Sequence, residues 1–396
     1  MVASGCVRRA DRPNGGALSH LIIELCGGAF DNKGDQLMLW ATLQHLRAQF
    51  PGVKMVMDPQ RSSFSSRAAY GIYQKFGERR FGRMGFIIDR LMHKGYREKF
   101  GLITEKEIAA VIDLSGFAYG DQWGTRWMTG RAANARRWKK QGKKVIILPQ
   151  ALGPFLNPEV RELAAEILGS ADLVYARDTI SQKEALDLGI HNVLRCPDIT
   201  HLVEGRNASD AVPKAPWACV IPNTQMIRMT SSDIGSQYVS FMTDMIRRLQ
   251  ARGLNPHLLQ HDTKHDPAVI DKINAALDSR VPIIREEDPV LIKGIEGAAS
   301  LVVGSRFHSL VNALSQAVPV LATSWSHKYE ELLTEYGCPE CLISHETPSE
   351  KINTLLDAIT QDPGRTALIK RLRDAAASFK QQVVEMWNRV DALLSE

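Results

Sequence analysis

No stretch of this sequence stays apolar for the roughly 20 residues that a membrane-crossing helix needs. The opening segment MVASGCVRRADRPNGG is basic, with no long apolar core behind it. The run LIIELC that follows is short and carries Glu24, which is not the pattern of a signal peptide. Cysteine is scarce, six in 396 residues, too few for a disulfide scaffold in a chain long enough to bury real cores. There is a single Cys-x-x-Cys, Cys338 and Cys341, with His345 four residues on. No second pair completes a zinc tetrad, so these read as ordinary reduced cysteines. An excess of one charge is also missing. The 49 Lys and Arg against 44 Asp and Glu leave +5, which does not by itself imply nucleic acid. It is compatible with an anionic substrate or a membrane surface. The cytoplasm is the expected compartment, and residues 1–19 read as a flexible lead-in.

What is present is a repeating grammar. Leu21 to Cys26 is a short β-type run, Gly27 to Gly34 a loop, and Leu39, Leu43, Leu46 and Phe50 then recur at helical spacing until Pro51-Gly52. VKMVMD restarts a strand. AAVIDLSG, KKVIILPQALGP, ADLVYARD and HNVLRCPD continue the alternation. A polar, proline-bearing break, EGRNASDAVPKAPW, precedes a second series: WACVIPN, NPHLLQHD, ASLVVGSRFH and VPVLATSW, with helix patterns between. Strands alternating with helices predict parallel sheets. The expected fold is α/β with two Rossmann-like lobes. The first spans 20–205, the second 206–348, and a helical tail occupies 349–396. About 60–100 reads as a basic insertion, with ten Lys or Arg against three acids and aromatics interleaved. It is a solvated helical face or a docking face for an anionic lipid or polyanionic acceptor.

In such sheets ligands bind beyond the carboxyl ends of strands, so those loops are where chemistry is sought. GGAFDNKGDQ lies between a strand and a helix. It is neither Gly-x-Gly-x-x-Gly nor a P-loop, which argues against dinucleotide or ATP. Asp35 reads as a helix N-cap, or as a base or orienter of a sugar hydroxyl. In GSRFHSLVNAL, Arg306 and His308 follow a strand and open a helix, where a guanidinium and free N–H groups suit a carboxylate or phosphate. His308 can also move a proton near neutral pH. In LVYARDTIS, Arg177 and Asp178 repeat the placement, as an ion pair with a helix cap or as a second anion site. LLQHDTKHD gathers His261, Asp262, His265 and Asp266, a polar loop or, less simply, a metal site.

The ordered set of these motifs resembles the polysaccharide pyruvyl transferase family from about Ile22 to Tyr336. GGAFDNKGDQLML, DLSGFAYGDQW, LPQALGPF, ARDTIS, CPDIT and GSRFHSLVNALSQAVPVLATSWSHK carry the likeness. The stretch between Gln60 and Phe100 departs from it, as does Ala151, where a small polar residue is usual. The resemblance implies a glycosyltransferase-B-like pair of lobes and phosphoenolpyruvate as donor. Pyruvate would be set as a ketal across two hydroxyls of a sugar, free or lipid-linked, with release of phosphate. It implies donor contacts from Arg306, Arg177, Ser326 and Lys328, with Asn32, Gly34 and His261 lining the substrate site. His308 would be the acid and Asp35 the base, with no metal or other cofactor. Contact with the inner membrane face would run through the basic stretch. The rival readings are a nucleotide-sugar glycosyltransferase or epimerase on the same plan, and a non-catalytic glycan or partner binder.

Overall fold

The computed structural model describes residues 21–28, 30–76, 93–207 and 212–396. The lead-in 1–19 lies outside the described residues, as do Arg79, Arg80, Arg83 and Arg90 of the basic stretch.

The apolar runs form two all-parallel sheets. The first has eight strands in the order β4-β3-β2-β1-β5-β6-β7-β8. These are β1 Ile22–Gly27, β2 Lys54–Met57, β3 Tyr73–Phe76, β4 Leu102–Thr104, β5 Ala110–Leu114, β6 Lys144–Gln150, β7 Leu173–Ala176 and β8 Val193–Arg195. The second has five in the order β11-β10-β9-β12-β13. These are β9 Trp217–Ile221, β10 Asn255–Leu259, β11 Ile283–Ile284, β12 Leu301–Gly304 and β13 Val320–Ala322. Central strands such as Ala110–Leu114 and Trp217–Ile221 are buried along their whole length, as strands covered on both faces must be. The stretch expected to be an insertion is corrected in part. Its β3 pairs with both β2 and β4 and so belongs to the sheet, while short helices Phe64–Ala69 and Lys94–Lys99 lie beside it.

Helices cover both faces of each sheet. On one face of the first sheet, Met128, Ala132, Ala135 and Trp138 from helix Thr125–Lys140 pack with Val160, Ala164 and Ile167 from helix Pro158–Gly169. The tail forms helices Ser349–Thr360 and Gly364–Ser395. The last helix serves both lobes. Leu368, Leu372, Ala376 and Phe379 join the core of the second, while Val383, Met386, Trp387, Val390 and Leu394 join that of the first. Full burial of each of the Leu, Val, Phe and Met side chains among them is worth roughly 1.5–3 kcal/mol. Trp387 also stacks on His45 at 4.0 Å, and His45 reaches Asp391 at 2.9 Å. The tail therefore straps the two lobes together. Among the described residues no helix is long and apolar enough to cross a membrane.

In each sheet the strand order reverses beside the first strand of the lobe. β1 lies between β2 and β5, and β9 between β10 and β12. Loops leaving neighbouring strands at such points diverge and open a crevice at their carboxyl ends. The two crevices face each other. Asn32 of the first lobe even forms an isolated antiparallel bridge with Asp262 of the second.

Candidate active site

The cleft between the crevices has a volume of about 240 Å³. The segments after β1, β5, β7, β9, β10, β12 and β13 all reach it, through Asp35, Phe117, Arg177, Asn223, His261, Arg306 and Lys328 among others, Asp35 and Lys328 standing in the first turns of helices. The segment after β12 turns directly into helix Phe307–Leu314, with Arg306 as its extended N-cap residue. His308 follows within the first turn.

His308 crosses to the first lobe, where its Nε2 lies 3.3 Å from Asp198 Oδ2. Asp198 also accepts from Arg177 at 3.0 Å and from the Thr200 amide and hydroxyl at 3.0 and 2.7 Å. Burial alone would raise the Asp198 carboxyl, but His308, Arg177 and Thr200 together hold it well below the usual carboxylate range. The buried carboxylate is thus the anchor of an Asp–His–Arg cluster that joins both lobes. His308 comes this close because residue 34 has no side chain. A Cβ on Gly34 would stand 2.1 Å from His308 Nδ1. Nε2 is buried and meets Asp198 as an ion-pair contact rather than through a hydrogen bond, while Nδ1 lies against Gly34.

The arginines are partly satisfied before any ligand arrives. Arg306 pairs with Asp266, which is fully buried, and lies 3.8 Å from Asp262. Its Nε has no partner. Arg177 pairs with Asp198 and lies over the Phe307 ring at 4.2 Å, and its Nε is likewise unpartnered. Lys328 differs. Among the described residues it has no carboxylate partner, and its Nζ sits over the rings of Trp325, Phe117, Phe307 and Tyr329 at 4.6–5.6 Å. Burial, with the nearby Arg177 charge, pushes its amine down to about 7. Beside it the Ser326 hydroxyl is buried without a partner.

Asp35 is half-buried, and its carboxyl is raised by burial against the pull of His308, Lys328, Arg306 and Arg177. Asp35 is not the helix cap. Asn32 is, accepting from the Gly34 amide at 2.9 Å. The Gly34 N–H is committed to Asn32, and the residue packs against His308. Asn32 lines the cleft, but its side-chain oxygen is engaged in the cap. Asp178 caps helix Thr179–Asp187 through the Ser181 amide at 2.7 Å, while its neighbour Arg177 pairs with Asp198. His261 is buried in the cleft wall with neither ring nitrogen partnered. Burial, and after it the charges of Arg306 and His308, drive its pKa well below the ordinary value, so it is a neutral imidazole. The neighbouring Asp262 and Asp266 hold Arg306 rather than a metal. Among the described residues no three His, Cys, Asp or Glu are grouped as metal ligands, and His345 faces Asp233 at 3.3 Å.

A family model for polysaccharide pyruvyl transferase matches residues 32–327, a span that begins at the Asn32 cap and ends at the Lys328 loop. The chain belongs to the polysaccharide pyruvyl transferase family. Its described architecture is also that of glycosyltransferase-B enzymes and related epimerases. MnaA of S. aureus, solved with UDP, superposes with a TM-score of 0.59 at 14% identity, over 95% of this chain and 97% of that one. Anabaena HepE, solved with UDP and glucose, gives 0.57 at 13%, over 95% and 100%. The UDP-GlcNAc 2-epimerase of Methanocaldococcus jannaschii gives 0.53 at 12%, over 87% and 94%. At such identities the likeness is one of fold. Within this family member, the group that sequence reasoning left without a role is Asp198. It follows β8 in CPDIT, so the strand-end rule that singled out Arg177 and Arg306 applies to it as well. The aromatic wall of Phe117, Trp325 and Phe307 gave no periodic signal and emerges only in three dimensions.

Proposed function

We propose that the chain moves the enolpyruvyl unit of phosphoenolpyruvate onto two hydroxyls of a sugar, forming a pyruvate ketal and releasing phosphate. The observation that carries this is the convergence of Arg177, Arg306, Lys328 and His308 from both lobes on one small cleft. A three-carbon molecule with a carboxylate and a phosphate presents two anionic ends for those cations. The volume also favours it, since about 240 Å³ lies below the roughly 300–1,000 Å³ typical of pockets for larger ligands.

The chemistry starts at the donor methylene. His308, as an imidazolium beside Asp198, delivers a ring proton to that carbon, which becomes the methyl group. Positive charge develops at the neighbouring carbon, where a sugar hydroxyl adds. Asp35, whose raised carboxyl suits a base, takes the hydroxyl proton. The phosphate leaves with its bonding electron pair, and the second hydroxyl closes the ketal on the same carbon. Of the two hydroxyl protons, one balances the proton given to the methyl and the other departs with phosphate. Arg177, Arg306 and Lys328 stabilise the leaving phosphate and the carboxylate throughout.

The test is thermal shift and phosphate release. Phosphoenolpyruvate should raise the melting temperature, and phosphate should appear only with a sugar acceptor present. His308→Gln should keep the shift and lose at least a hundredfold in release, the size of a general acid–base contribution. A shift with UDP or nucleotide sugars and none with phosphoenolpyruvate would transfer the chain to the rival glycosyltransferase or epimerase reading.

A further inference from the structure

A second cavity of about 270 Å³ adjoins the first and shares Asp35, Ser115, Phe117 and Trp123 with it. It belongs to the first lobe and is otherwise lined by Gly27, Gly28, Arg61, Ala118 and Trp127. Trp123 is 42% exposed and stands edge-on to Phe117 at 5.9 Å, an apolar platform of the kind sugar faces rest on. At the rim, the Arg61 guanidinium stacks over Trp127 at 4.5 Å. Arg131 lies near the same ring at 5.0 Å, but it is buried and faces Asp113 at 3.7 Å. Arg61 has no such partner: among the described residues no carboxylate pairs with it. A planar fork, held by stacking and lacking a counter-charge, is free to receive an oxyanion.

We propose that the acceptor is a sugar carrying an oxyanion, a phosphate ester or a carboxylate, which Arg61 receives while the sugar lies along Trp123 and Phe117 beside Asp35. This rests on the ketal-transfer reading, since it gives the donor the first cavity and the acceptor the second. Asp35, lining both, then stands where hydroxyl and donor meet.

The experiment compares hexose and N-acetylhexosamine 1-phosphates, the matching uronic acid glycosides and the neutral methyl glycosides. Two readouts are used: phosphoenolpyruvate-dependent phosphate release, and quenching of tryptophan fluorescence without donor. The wild type should prefer one anionic series over the neutral one by at least tenfold in both, and Arg61→Gln should collapse that ratio. Preference for the 1-phosphates or for the uronates identifies the source of the oxyanion. Equal handling of neutral and anionic sugars, or a preference that survives Arg61→Gln, overturns the proposal. Because the quenching needs no turnover, a failure of donor chemistry alone leaves this result readable. Arg61 is exposed and outside the core, so the variant should fold.

Discussion

Lys328 is the most exacting test of how this cleft holds a dianion. Its ammonium has aromatic faces on four sides and no carboxylate partner among the described residues. Two unit charges about 4 Å apart attract by about 4 kcal/mol at an effective dielectric near 20. Part of that is offset by desolvating the phosphate, and Lys328→Met also relieves the lysine's own burial. A net loss of about 2–3 kcal/mol is expected, a roughly 30- to 150-fold weaker donor. The pH profile gives an independent check. With its amine pushed down to about 7, Lys328 in the empty cleft is charged below that pH and neutral above it. Each further pH unit then costs about tenfold in donor affinity. A phosphate monoester completes its second ionisation near pH 6. So kcat/KM should rise towards that pH and fall beyond about 7. Calorimetric titration of phosphoenolpyruvate from pH 6 to 9, with wild type and Lys328→Met, measures both effects. A variant that binds like wild type, or a wild-type affinity flat from pH 6.5 to 9, refutes the assignment.

Gly34→Ala adds one methyl group, yet that atom would stand 2.1 Å from His308 Nδ1. The ring must leave, so turnover should fall at least a hundredfold. Phosphoenolpyruvate should still shift the melting curve; wild-type turnover would contradict the packing described. Asp198→Asn removes the carboxylate beneath Arg177 and His308, and an uncompensated buried charge costs about 3–5 kcal/mol. Because the Asp198 pKa is depressed on folding, its stabilisation is present above the ordinary carboxylate range. That stabilisation fades as pH falls from there towards the depressed value. Urea midpoints should therefore differ strongly between wild type and Asp198→Asn at pH 6, begin to close as pH falls through the ordinary carboxylate range near about 4, and go on closing towards the depressed value. A constant difference across that range would remove Asp198 as the charged anchor.

Most of the sheet was legible because each strand of a doubly wound lobe is a short apolar run punctuated by Gly, Ser or Pro. AAVIDLSG and ASLVVGSRFH announce both their ends and the loops that carry function. The strands that escaped lack that mark. Tyr73–Phe76 is half-buried with Gln74 and Lys75 inside it, Leu102–Thr104 is three residues long, and Ile283–Ile284 is two. The placement of Arg177, Arg306 and His308 at strand ends was legible for the same reason, whereas Lys328 came from the family resemblance alone. Their pairing was not, because it depends on how one lobe meets the other. Nothing local tells that Asp266 will hold Arg306, or that His308 will reach across to Asp198.

Those pairings change what the cleft is. Sequence alone offers Arg306 to an anion and leaves Arg177 open between an ion pair and a second anion site. The structure instead gives Arg306 and Arg177 a carboxylate each, so the empty cleft avoids stacking like charges in a buried space. The arginines keep their unpartnered Nε atoms as directional donors. The charge that a dianion can capture in full is the caged lysine, whose proton its surroundings hold only loosely. An arriving phosphate would restore that proton. On the ketal-transfer proposal, Lys328 is then fully charged only when the donor is in place, beside the imidazole proposed to protonate that donor.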